Sequence, residues 1–288
     1  MVAHCMAINE SIFEAADAMQ YVDTETHTWT TENFFKAVQA IYDSGHQDVA
    51  AVYCSGQGGD QGTRALINNL YSGTFTNAEH TEYTVNTEEN IKALTELAAQ
   101  DGINFDASVA GGDEITLFRN GTLAMSFCWN AAQQTNADTA EAGKTINGDN
   151  IIPMLFPSDD GKTELCGGIW GFGIFNNGDD AKIAAAKTFI DFMCNDETQA
   201  LESVKASTYF PAHQNLTGIY DGTEIADVMT TFSEDFMPSM GDYYQVVPGW
   251  ATARTEWWNM LQRIGTGGDV ATEVETFVTN ANAAVAAE

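Results

Sequence analysis

Basic residues are scarce in this 288-residue chain: 11 Lys and Arg stand against 41 Asp and Glu, a formal net charge of −30. That shortage excludes nucleic acid as a partner, because gripping a phosphate backbone takes clustered cations. It disfavours anionic membrane surfaces for the same reason. No run of 18 apolar residues is present to span a bilayer. The first ten residues contain no Lys or Arg and no apolar stretch of signal-peptide length. Cysteines are few: Cys5, Cys54, Cys128, Cys166 and Cys194 are odd in number, scattered and without a C-x-x-C pair, which argues against a disulfide framework and a zinc site. They are expected to be small buried hydrophobes. The five histidines lack H-x-x-x-H or H-E-x-x-H spacing, and no P-loop, G-x-S-x-G or post-strand G-x-G-x-x-G occurs. No metal and no cofactor is therefore expected.

What is present is a folded body. Hydrophobic residues make up 44% and aromatics 11%, too rich for a disordered acidic chain, so the charge coats a core. The length leaves room for one large or two modest domains.

The chain alternates helical and extended patterns up to about residue 175, then turns mostly helical. Residues 30–44 place Phe34, Val38, Ile41 and Tyr42 on one helical face, with Thr30 or Thr31 as N-cap and Gly45 as stop. A strand follows at 48–54, then the loop SGQGGDQG and a helix from about 63. A helix at 87–99 has Thr87 as cap, Ile91, Leu94 and Ala98 facing inward, and Gly102 as stop. A short helix at 113–119 turns at Asn120-Gly121 into a strand at 122–129. Extended segments follow at 150–156, where Pro153 suggests an edge, and at 169–175. Helices are predicted from 181, from 196, at 224–232, 249–264 and 269–285. Strand–helix alternation followed by helices implies an α/β body with a helical cover.

Catalytic signals are weak, because among 41 acids some pair always suits a glycosidase. A carbohydrate-active enzyme using an Asp/Glu pair stays open as an alternative on the residues alone. The tryptophans say more. Trp129 ends a strand, Trp170 follows a glycine pair, and Trp250 opens a helix after Pro248-Gly249. A flat indole at the end of an element suits the C–H face of a sugar ring, while edge carboxylates and amides suit its hydroxyls. Each of the three is equally readable as core.

The order of several passages resembles the family 1 extracellular solute-binding proteins, the maltose-binding-protein-like receptors of ABC importers. MAINESIFEAA (6–16) and THTWTTENFFKAVQAI (26–41) are similar to the family's "Y-N-K-x-L-F-x-x-A-G … T-W-x-E-F", with Asn9, Phe13, Trp29 and Phe34 or Phe35 on its key positions. FRNGTLAMSFCW (118–129) is similar to "F-x-x-G-x-A-A-M". LCGGIWGFGIF, followed by AKTFIDFMCNDETQ, is similar to "GG-x-x-x-x-I … A-x-x-F-I-x-F-L-x-x-x-E-x-Q". The stretch from MPSMGDYYQVVPGWATAR to VATEVETF is similar to the family's C-terminal Trp-containing passage. The four stretches keep the family's order over nearly the whole chain.

The resemblance implies a two-lobed α/β receptor of the type II periplasmic-binding-protein-like fold that closes on a solute, usually a saccharide, and delivers it to membrane permease subunits. It implies no catalysis, a monomer, and an extracellular or cell-surface location. Trp250 falls where an aromatic stacks on the sugar, and Arg254 on the arginine one turn later. Trp129 and Trp170 fall near cleft-lining strand ends, and Gln57 and Asp60 where the family places polar contacts. In the family the passage matching 6–16 lies well inside the chain, so the resemblance implies that most of the N-terminal lobe is missing. Residues 1–175 and 234–288 would form a nearly complete second lobe, and 176–233 a helical remnant of the first. That remnant would leave apolar faces such as Ile183, Phe189 and Ile190 short of partners. A half-cleft buries less of a ligand, so the expected affinity is below that of a complete receptor, with a non-binding remnant as the other alternative.

Overall fold

The computed structural model of the protein describes residues 1–52, 59–105, 109, 111–213, 216–241 and 246–287. In chain order its elements are β1 (Val2–Asn9), α1 (Glu10–Ala15), α2 (Thr31–Asp43), β2 (Ala50–Ala51), α3 (Gly59–Leu70), α4 (Glu88–Ala99), β3 (Ile103–Asn104), α5 (Gly111–Arg119), β4 (Met125–Trp129) and α6 (Ala131–Thr135). After them come β5 (Ile151–Met154), β6 (Cys166–Gly168), α7 (Asp180–Asn195), α8 (Glu197–Ser207), α9 (Ala226–Thr231), α10 (Trp250–Gly265) and α11 (Val270–Val285).

β1 is the centre of the larger sheet. It pairs antiparallel with β4 through Cys5, Ala7 and Ile8, with β5 through Met6–Asn9, and with β6 through Val2–His4. All but one of its eight residues are buried, the pattern of a strand covered on both faces rather than an alternating one. β5 holds an edge of the β4-β1-β5 path, which is where Pro153, with no N–H to donate, can sit. β2 and β3 form a separate parallel pair.

Local chemistry sets the helix ends. Thr30 caps α2 by accepting from the Asn33 N–H at 3.1 Å, and Thr87 caps α4 by accepting from Asn90 at 3.3 Å. Asp196 accepts from the Thr198 and Gln199 N–H groups and starts α8. Gly102 ends the α4 turn at φ +87°, and a Cβ there would come within 2.7 Å of Val49, so the position needs glycine twice over. α2 buries Phe34, Val38 and Ile41 as its periodicity predicts. α4 is rotated from expectation: Asn90, Ala93, Leu94 and Leu97 face in, while Ala98 is exposed. The cause is Asn90, whose amide is drawn inward to donate to the Thr74 carbonyl at 2.7 Å.

Two further expectations are corrected. The extended run 169–175 is not a strand: β6 stops at Gly168, and 169–175 lies exposed with no regular structure. Its composition suits a strand, but a strand exists only where a neighbouring strand takes its hydrogen bonds. Cys5, Cys128 and Cys166 are buried as expected, whereas Cys194 is exposed, and Cys54 lies outside the described residues. No residue of α7 is buried; Phe189 is half-exposed, and Ile183 and Ile190 are only partly covered. Among the described residues no helix is long and apolar enough to cross a membrane.

Candidate ligand site

The parallel β2–β3 pair orients the site. β2 leads into α3, and β3 leads into α5, so the carboxyl ends of both strands and the N-termini of both helices lie on one edge. That edge is where open α/β sheets bind ligands. The N-terminal part of α10 packs beside α3 and brings its own residues to this edge.

Asp60, in the first turn of α3, is the hub. Its carboxylate is 1% exposed and is gripped by two of the chain's four arginines. Arg254, one turn into α10, forks onto it: Nε donates to Oδ2 and Nη2 to Oδ1, both at 2.8 Å. Arg64, one turn along α3, donates to Oδ2 from a fully buried position. Burial alone would raise the Asp60 pKa, but the Arg64 charge and the Arg254 hydrogen bonds outweigh it and hold the carboxyl below its ordinary value. The trio is net positive within a chain of net charge −30.

The arginines in turn fix indoles. The Arg64 guanidinium lies 4.7 Å from the centre of the Trp250 ring and 5.5 Å from that of Phe75. Phe75 meets Trp250 at 6.2 Å in an edge contact. Arg254 lies 5.4 Å from the centre of the Trp258 ring. Behind them, Trp257 donates from Nε1 to Thr63 Oγ1 at 3.2 Å, and Phe75, Tyr83, Trp257 and Phe277 pack edge to face. Trp250 is half-buried, and Arg254 keeps 24% of its side chain exposed while Asp60 takes two of its five N–H groups. An oriented, partly exposed indole beside a guanidinium can stack on an apolar ring face and donate to its hydroxyls.

His4 stands beside this cluster on β1. Burial pushes its pKa down to about 4, with the Arg64 charge acting in the same direction and the Asp60 charge against it, so the ring is neutral. Among the described residues its buried Nδ1 has no hydrogen-bond partner.

The structure thus brings together three of the residues singled out from sequence: Trp250, Arg254 and Asp60. Gln57 lies outside the described residues. Trp129 is corrected. It is fully buried, donates from Nε1 to Gln134 Oε1 at 2.7 Å, and packs on Phe118 and under Arg119, so it presents no face to a ligand. Trp170 belongs to another surface: it is 73% exposed and stacks on Tyr209 at 6.5 Å. Arg64 and His4 were missed. The D-x-x-x-R spacing of Asp60 and Arg64, an acid–base pair one helical turn apart, was a readable signal for the first.

A second buried acid lies at the start of α5. Glu114 accepts from Ser126 Oγ at 2.8 Å and the Phe127 N–H at 2.6 Å. Burial pushes its pKa up to about 8 against the pull of those two donors. Among the described residues no group of His, Cys, Asp and Glu could hold a metal ion.

The sequence profile described as bacterial extracellular solute-binding protein matches residues 1–219. The chain belongs to this family. No curated protein matches it. Among solved structures it is similar to the ABC substrate-binding protein Lmo0181 from Listeria monocytogenes in complex with cycloalternan, at 18% identity and TM-score 0.67, covering 98% of this chain and 69% of that one. It is also similar to an ABC transporter solute-binding protein from Thermotoga lettingae bound with α-D-tagatose, at 16% identity and TM-score 0.71, covering 99% and 70%. The GacH receptor of Streptomyces glaucescens, solved unliganded and with acarbose, gives 13% identity and TM-score 0.70, covering 98% and 68%. The fold is therefore periplasmic-binding-protein-like, and the chain spans about 70% of the length of these relatives. Family and relatives are binding proteins of ABC transporters, not enzymes.

Proposed function

We propose that this solute-binding protein takes a saccharide, or another small polar solute of similar shape, at the Trp250–Arg254–Asp60 edge and delivers it to ABC permease subunits. The observation that carries the reading is the double arginine grip on Asp60, which fixes both the guanidinium of Arg254 and the plane of Trp250 where three helices begin. The scarce cations of the chain are spent on orienting an indole, an arrangement suited to a neutral, hydroxyl-rich ring. Bound cycloalternan, tagatose and acarbose in the similar structures support the same ligand class.

Within this reading, residues 1–175 and 234–288 form one lobe and 176–233 a helical part of the other. The protein works outside the cytoplasm, in the periplasm or at the cell surface. The acid-pair enzyme reading draws no support from the site: Asp60 is ion-paired and Glu114 is buried and hydrogen-bonded, so neither carboxyl is offered to a glycosidic oxygen.

Isothermal titration of the chain against a panel of oligosaccharides and polyols tests it. Binding of at least one saccharide is expected, weakened tenfold or more by Trp250→Ala. Release of reducing sugar that a single Asp or Glu change abolishes would replace it with the enzyme reading.

A further inference from the structure

Between α3 and α4 the chain makes a short hairpin. Thr76 and Tyr83 form an antiparallel bridge, the Asn77 N–H donates to the Glu82 carbonyl at 3.0 Å, and the Thr84 N–H donates to the Phe75 carbonyl at 3.0 Å. Its two arms carry Phe75 and Tyr83, both buried, whose rings meet edge to face at 5.7 Å. Each arm contacts the start of α10. Phe75 meets the Trp250 ring at 6.2 Å, and Tyr83 Oη donates to the Pro248 carbonyl, two residues before Trp250, at 3.3 Å.

Asn282, near the end of α11, holds this hairpin. Its Oδ1 accepts from the Tyr83 N–H at 2.8 Å and its Nδ2 donates to the Tyr83 carbonyl at 3.0 Å. One side-chain amide thus takes both backbone groups of one residue, as the opposite residue of an antiparallel strand does. The apolar packing of α11 does not need this amide, because Val274, Phe277, Val278 and Ala281 already bury its inner face. What the amide adds is direction: rings can slip against one another, whereas two hydrogen bonds to one peptide fix a register.

The same end of α11 also touches the entry of α10. Gly249 stands at φ +71°, and a Cβ there would come within 2.9 Å of Ala284 Cβ and of the Val285 nitrogen, so the backbone just before Trp250 lies against the turn that follows Asn282. Gly249 gives α10 no side-chain cap, which leaves the helix entry to be fixed by these outside contacts. We propose that Asn282 is a positioning residue for Trp250: through Tyr83 and the 75–84 hairpin it fixes where α10 begins, and so the angle at which the indole meets a saccharide. The saccharide half of this rests on the reading of Trp250 as the stacking residue.

Fluorine NMR of the chain labelled with 5-fluorotryptophan tests this, the Trp250 signal among the six tryptophans being the one lost in Trp250→Phe. Asn282→Ala is expected to shift and broaden that signal. Asn282→Asp, which keeps an acceptor for the Tyr83 N–H but no donor for its carbonyl, is expected to shift it less. Tyr83→Phe, which keeps the ring packing and loses the bond to Pro248, is expected to shift it with circular dichroism unchanged. Titrated with the saccharide that the wild-type chain binds, Asn282→Ala is expected to bind about twofold to tenfold more weakly, the effect of one loosened side chain that must be ordered on binding. In a Trp250→Ala background the same change is expected to cost nothing further. A Trp250 signal unmoved by both Asn282→Ala and Tyr83→Phe overturns the proposal. So does an affinity loss from Asn282→Ala that persists undiminished in Trp250→Ala. A wild-type chain that binds no saccharide overturns instead the stacking role of Trp250, and the fluorine signal still decides whether Asn282 positions the indole.

Discussion

Replacing Glu114 with Gln isolates one buried titration. The carboxyl is fully buried and its pKa is pushed up to about 8 from an ordinary value of 4.5. Because the folded pKa lies above the unfolded one, the folded state holds a proton that the unfolded state releases from pH 4.5 upward. The stability advantage is complete below pH 4.5 and is lost progressively as pH rises to 8. At about 1.4 kcal/mol per unit, and with the titration only half begun in the unfolded state at pH 4.5, that shift makes the chain less stable by about 4 kcal/mol at pH 8.5 than at pH 4.5 through this group alone. Glutamine keeps the shape and does not titrate: its Oε1 can accept from the Phe127 N–H and its amide can donate to Ser126 Oγ. Urea unfolding of both proteins at intervals from pH 4.5 to 8.5, followed by circular dichroism, gives the difference in stability at each pH. That difference should grow in favour of Glu114→Gln as pH rises, with most of the change before pH 8. A difference that stays flat across the range, or grows in the opposite sense, would refute the reasoning.

Asp60 titrates in the other sense: its folded pKa is depressed, so the stability it contributes is present above the ordinary carboxylate pKa and lost as pH falls below it. Asp60→Ala removes a buried carboxylate that accepts from both Arg64 and Arg254, and breaking that ion-paired cluster should cost about 3–5 kcal/mol in denaturant unfolding at pH 7. Trp129→Phe removes the hydrogen bond to Gln134 and part of the packing on Phe118; a loss of about 1–3 kcal/mol is expected by thermal unfolding, with saccharide affinity unchanged. Arg254→Lys keeps the charge but loses the two-pronged grip on Asp60, and should weaken saccharide binding by titration more than it lowers the melting temperature.

Much of the fold was legible in the sequence wherever the deciding chemistry is local. Thr30, Thr87 and Asp196 cap helices because their side chains reach N–H groups two or three residues away, and the two C-terminal helices follow their apolar spacing to within a residue or so. The site was partly legible for the same reason: Trp250 and Arg254 share one turn of α10. The hub was not, since Asp60 and Arg254 are separated by 194 residues and only the packing of α3 on α10 joins them. Trp129 defeated the reading because an indole ending a strand looks the same whether the strand end is covered or open, and here α6 turns back so that Gln134 takes the indole N–H. The 169–175 segment failed from the opposite side. Its residues suit a strand, but the described chain supplies no neighbour to complete it.

Saturation-transfer difference NMR with the tightest-binding saccharide of the panel probes the stacking of a sugar on Trp250 most directly. The expected result is strong transfer to the C–H protons of one ring face in the wild-type chain, lost in Trp250→Ala and retained in Trp129→Phe. Transfer that is undiminished in Trp250→Ala would contradict the assignment of the site.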